Sequence, residues 1–123
     1  MLQSKLLSTN QRLRDCEIND PAHVTPGDQG EFVKLIQQAL ILIEDMFIEP
    51  AELNAGMYGP STADAVLQYK TERNIVNRAY QSQPDNIIGK MTIKSLDNDL
   101  LELEGPDGPF TAAAVRPMFG RLT

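Results

Sequence analysis

The chain has one histidine, His23, and one cysteine, Cys16, among its 123 residues. One of each cannot furnish an ordinary zinc site, which draws on three or four His, Cys or carboxylate ligands. Metal-dependent amidase or carboxypeptidase chemistry is therefore not expected, and no cofactor is implied. A lone cysteine also excludes an internal disulfide, so nothing is stapled for an oxidising compartment. Cys16 and His23 lie on either side of an expected helix end, and no reactive pair is expected of them. Basic residues are in the minority, with 11 Lys and Arg against 17 Asp and Glu, for a net charge of -6. That balance argues against nucleic acid as a partner, because duplex binding relies on clustered cations that release counterions. Long apolar runs are missing too. The start, MLQSKLLSTNQRLRDC, lacks the apolar stretch of a signal peptide, no window approaches a membrane span, and no membrane partner is expected.

What is present is helical periodicity. Asn10 is placed to cap a short helix in which Leu13 and Cys16 share a face, ending at Pro21. VTPGDQG, residues 24–30, is turn chemistry. From Glu31 to Phe47 the apolar residues Val33, Ile36, Leu40, Ile43 and Phe47 step by three and four, beside a second stripe of Leu35, Ala39, Leu42 and Met46. So wide an arc predicts burial on more than one side, at the centre of the core. One helical turn is expected around Ala51 to Asn54. A second main helix is expected over Pro60 to Asn74, with Thr62, Val66, Tyr69 and Arg73 along one face. A third spans Lys90 to Glu104, with Ile93, Leu96, Leu100 and Leu103 inward, and stops at Gly105-Pro106.

The two later helices open alike. Tyr58, Gly59, Thr62, Ala65 and Val66 align with Ile88, Gly89, Thr92, Ser95 and Leu96, thirty residues on. In each copy Gly permits a sharp turn, Thr at the third helical position is placed to bond back to uncapped amides, and the small residue lets helices approach. Two helix N-termini, each carrying partial positive charge, are thereby set in comparable surroundings.

Carboxylates are numerous in Glu44-Asp45, Glu49, Glu52, Asp97, Asp99, Glu102 and Glu104. Their positions at helix ends and on outward faces read as solvated charge, so the paired acids of a glycosidase are not expected. The acids of LDNDLLELEGPDG lack calcium-loop spacing. Of the three tyrosines, Tyr69 reads as core, Tyr58 as half-buried at a helix start, and Tyr80 as loop. From Met57 to Leu96 five basic residues, Lys70, Arg73, Arg78, Lys90 and Lys94, outnumber Asp64, Glu72 and Asp85, which leaves this segment net +2 and the remainder net -8.

Three blocks in order resemble the peptidoglycan-binding domain family of the PGBD-like three-helix type. They are Gly30, Val33, Ile36-Gln37 and Leu40; then Tyr58-Gly59, Thr62, Ala65-Val66 and Tyr69; then Asp85, Ile87-Ile88-Gly89, Thr92 and Leu96. Lys70 stands where members usually have Gln, and Asn86 where they have Gly. The resemblance covers Gly30 to Leu100. It implies an all-α fold, a compact three-helix bundle over 30–104. An additional N-terminal helix and its loop precede it over 1–29, and a Pro/Gly-rich tail follows over 105–123.

The function implied is non-catalytic binding of bacterial cell-wall peptidoglycan, through its glycan strand or its stem peptide, by a targeting or anchoring module. Stem-peptide carboxylates would meet the helix N-termini with Lys70, Arg73, Arg78 and Lys90. Tyr58, Tyr80 and Asn86 would border the same surface, since sugar rings stack on aromatic faces. The chain is expected in the cytoplasm as synthesised, or at the wall by a non-classical or phage-like route. Two other readings stay open: an adaptor for another protein in a phage-like or secretion assembly, and a targeting fragment of a wall hydrolase.

Overall fold

The computed structural model describes residues 1–19, 22–76 and 83–104. Among these residues the regular structure is helical: α1 (Gln11–Ile18), α2 (Glu31–Glu44), α3 (Pro50–Ala55), α4 (Pro60–Arg73) and α5 (Lys90–Glu104). None of these helices is long and apolar enough to cross a membrane. The 105–123 tail, like Arg78, Tyr80 and Pro21, lies outside the described residues.

Asn10 caps α1 as expected, its side-chain oxygen accepting from the Leu13 N–H at 3.1 Å. α2 packs against α3, α4 and α5, and Val33, Ile36, Ala39 and Leu40 are buried with Gln37 among them. The wide apolar arc therefore makes this helix the hub. It ends three residues sooner than its periodicity suggests. Asp45 takes a left-handed backbone (φ 53°) that closes the last turn and sends the chain off the helix axis. Beyond that bend the chain alternates: Met46 and Ile48 point inward at 7% and 6% exposure, while Phe47, expected in the core, is 70% exposed.

The N-terminal extension is part of the same core. Leu2, Leu7, Leu13 and Cys16 are buried in one cluster with Ile93, Leu96 and Leu100, and α1 packs on α5. Two carboxylates read as solvated do the fastening. Asp97, 4% exposed, accepts from the Gln3 and Ser4 N–H groups at 2.9 and 2.8 Å, and Glu104 accepts from Lys5 at 2.8 Å. Glu104 thus turns inward and Leu103, expected in the core, is exposed.

The turn segment 24–30 ties the two similar helix starts together. Val24 and Ile88 exchange both backbone hydrogen bonds at 2.9 Å. At the other end Gly27 N–H donates to the Tyr58 carbonyl and Tyr58 N–H to Asp28, each at 2.9 Å. The pair Tyr58 and Ile88, equivalent in the repeat, are both sealed from solvent, as are Thr62 and Thr92.

Candidate functional site

The start of α4 is built differently from what its sequence suggests. Its amides are capped from outside the helix: Glu52, on α3, accepts from the Ser61 and Thr62 N–H groups at 3.0 and 2.9 Å and from the Thr62 hydroxyl at 2.8 Å. Thr62 does not reach back to the amides, because its hydroxyl lies between Glu52 and the Gln37 side-chain amide, which donates to it at 2.9 Å. Gly59 has an extended backbone that any residue adopts (φ -99°, ψ -167°). Its lack of a side chain matters for space, since a Cβ there would stand 2.6 Å from the Glu52 carboxyl carbon. At Gly89 the corresponding neighbour is the His23 ring, at 3.2 Å. The repeated glycine therefore admits another side chain against each helix start.

Burial pushes the Glu52 carboxyl up, but the bonds from Ser61 and Thr62 outweigh it and hold its pKa below the usual carboxylate value. With the folded pKa depressed, the cap's contribution is present above the unfolded pKa and is lost as pH falls through the folded one. Glu52→Gln should cost about 1 kcal/mol at neutral pH, as lost helix caps do. Urea midpoints followed from pH 7 to pH 3 should converge for parent and variant. A gap that stays constant to pH 3 would show that the charge of Glu52 is not what caps α4.

The expected cationic surface is largely taken up inside the protein. Lys70 is buried, and its ammonium donates to Asp85 and to the Ile87 carbonyl, fixing the approach to α5. Arg73 bridges three helices, meeting Glu44 of α2 at 2.7 Å and Asp99 of α5 at 2.9 Å while stacking 4.5 Å from the Tyr69 ring centroid. Burial works against its charge, but Glu44 and Asp99 outweigh that and raise its pKa. The Tyr69 hydroxyl joins the cluster, donating to Asp99 at 2.6 Å, with burial first and then Asp99 pushing its pKa up.

Tyr58 is 1% exposed, and its hydroxyl donates to the Asn86 carbonyl. Burial, then Asp85 and Asp28, raise its pKa, so it stays a neutral donor. Lys70, Arg73 and Tyr58, expected at a ligand surface, are thus placed as internal ties. Asn86 is half-buried and Lys90 is exposed at the first turn of α5. Cys16 is sealed in the core, where its thiol donates to the Ile88 carbonyl at 3.4 Å and burial pushes its pKa up to about 11, against the pull of Arg12. Such a thiol is inert. Among the described residues no three His, Cys, Asp or Glu side chains converge to hold a metal.

One open feature was not anticipated. Where α2 has ended and α4 begins, a cleft of about 500 Å³ is lined by Met46, Phe47, Glu49, Glu52, Pro60, Ser61, Asp64, Ala65 and Gln68. Its walls are tied by the Glu49 N–H, which donates to the Ser61 hydroxyl at 2.9 Å. Periodicity hid it, because Phe47 continues the α2 stripe in the sequence and leaves it only through the bend at Asp45. Comparison of the chain with protein-family models, with curated proteins and with solved structures gives no match.

Proposed function

We propose that this chain is a non-catalytic binding module for bacterial cell-wall peptidoglycan, on a three-helix framework of the PGBD-like type extended at its N-terminus. The observation that supports it is the junction formed by segment 24–30. The Gly30 block, the Tyr58-Gly59-x-x-Thr62 block and the Ile88-Gly89-x-x-Thr92 block carry the family resemblance. They are distant in sequence and joined here by hydrogen bonds through Val24, Gly27 and Asp28. The loop that joins them runs directly into Gly30, so the starts of the three blocks lie side by side.

Several of the chain's carboxylates are occupied in holding the fold. Asp97, Glu104 and Glu52 hold backbone amides, and Asp99 is engaged by Arg73 and Tyr69. Sedimentation with purified sacculi tests the proposal. The protein should pellet with the sacculi and release no muropeptides above buffer controls, with or without added zinc. A protein that stays in the supernatant removes the peptidoglycan reading in favour of the adaptor, and time-dependent muropeptide release replaces the binding module with an enzyme.

A further inference from the structure

The cleft beside α4 carries charge opposite to the net charge of the segment from Met57 to Leu96. Met46, Pro60 and Ala65 supply an apolar lining, and Phe47 presents its ring at 70% exposure between two buried neighbours. An aromatic side chain forced outward by the burial of Met46 and Ile48, on the edge of a concave surface, is a natural contact for a ligand. The volume, about 500 Å³, lies in the range of small-ligand sites.

Charge narrows the choice of occupant. Three carboxylates line the cleft. Glu52 is engaged by the amides and hydroxyl at the start of α4. Glu49 and Asp64 are exposed, and their carboxylates make no hydrogen bond or ion pair among the described residues. Among the described residues, no Lys, Arg or His lines the cleft. The two cations in the last turn of α4, Lys70 and Arg73, are engaged by Asp85, Glu44 and Asp99. An occupant that complements these walls carries a positive charge beside small apolar groups.

We propose that the cleft accepts a short peptide bearing a free primary amine flanked by small apolar side chains. In peptidoglycan that chemistry belongs to the uncross-linked diamino residue of the stem peptide, with its neighbouring alanines. This inference rests on the peptidoglycan reading and deepens it: recognition runs through the amine of the stem and two carboxylates of the protein, where the sequence suggested stem carboxylates and protein cations. The amine answers the exposed carboxylates of Glu49 and Asp64, the alanine methyls take the apolar part of the lining, and Phe47 offers a face to the adjoining sugar.

The test compares native sacculi with sacculi whose free amines have been N-acetylated. It uses the whole chain and the double reversal Glu49→Lys with Asp64→Lys. Both positions are exposed and unpaired, so the variant should melt as the parent does. The parent should lose at least tenfold in retention on acetylated sacculi. The double variant should lose as much on native ones and show no further loss on acetylation. Equal retention of the parent on both preparations, or of the variant and parent on native sacculi, overturns the assignment of the cleft while the peptidoglycan reading stands. No retention of the parent on native sacculi overturns both.

If the double reversal fails to fold, soluble muropeptides titrated into the labelled parent decide the matter. Amide shift changes within 46–49 and 60–68 support the proposal. Changes within 86–90 in their place overturn it, as does a cleft that responds to a basic protein segment and not to muropeptides.

Discussion

Tyr58→Ala should lower the unfolding free energy by about 3–5 kcal/mol, the usual cost of removing a buried aromatic side chain. The ring is 1% exposed, and its hydroxyl donates to the Asn86 carbonyl across a sequence separation of 28. Its backbone is held on both sides by Gly27 and Asp28. The side chain therefore joins the turn segment, the start of α4 and the approach to α5, and truncating it leaves a cavity at their meeting point. Against a total stability of about 5–15 kcal/mol for a domain of this size, the loss is large. Tyr58→Phe keeps the ring and should cost about 1 kcal/mol, the net worth of one hydrogen bond. Urea denaturation of both variants checks the pair. A Tyr58→Ala protein with the parent's midpoint but no retention on sacculi would return this residue to the ligand surface and refute its role as an internal tie.

The parts of the fold legible in the sequence are those set by neighbouring residues. The starts of α1, α4 and α5 fall where Asn10, Gly59-Pro60 and Gly89 place them, because caps and first-turn prolines act over a few residues, although the acceptor for the α4 amides is Glu52 of another helix. The end of α2 was less visible. It is closed by a left-handed Asp45, whose type tolerates that conformation without announcing it as a glycine does. The three-residue error that resulted placed Phe47 in the core and concealed the cleft.

Charge was the harder thing to read, since a residue count gives a segment's sign but not its partners. Lys70 is answered by Asp85 from a loop, and Arg73 by Glu44 and Asp99 from two other helices. The net +2 of the segment therefore does not become an open cationic face through these two residues. The acids reverse the error. Glu52 and Asp97 look like solvated charges on helices, yet each receives backbone amides of a different segment, a role that only tertiary structure defines.

The second large effect is expected at Asp97. Its two carboxylate oxygens each take one amide, from Gln3 at 2.9 Å and Ser4 at 2.8 Å, so the side chain acts as a cap for the N-terminal turn from 93 residues away. That turn, closed by Ser8 N–H on the Ser4 carbonyl at 3.0 Å, carries Leu2 and Leu7 into the core. Hydrogen bonds to a charged group are worth about 1.5–3 kcal/mol each, and a buried amide left without an acceptor costs about 1–3 kcal/mol. Asp97→Ala should therefore lose about 3 kcal/mol or more and loosen the contact of Leu2 and Leu7 with α5. Asp97→Asn should fall between variant and parent, because its amide offers one acceptor oxygen to two N–H groups. Glu102→Ala, exposed on the same helix, should stay within about 0.5 kcal/mol of the parent. Urea midpoints order the three variants, and amide exchange over residues 3–8 reports the release of the turn directly. If Asp97→Ala unfolds at the same midpoint as Glu102→Ala, the two bonds to Gln3 and Ser4 add nothing to stability, and the N-terminal turn is held by the burial of Leu2 and Leu7 alone.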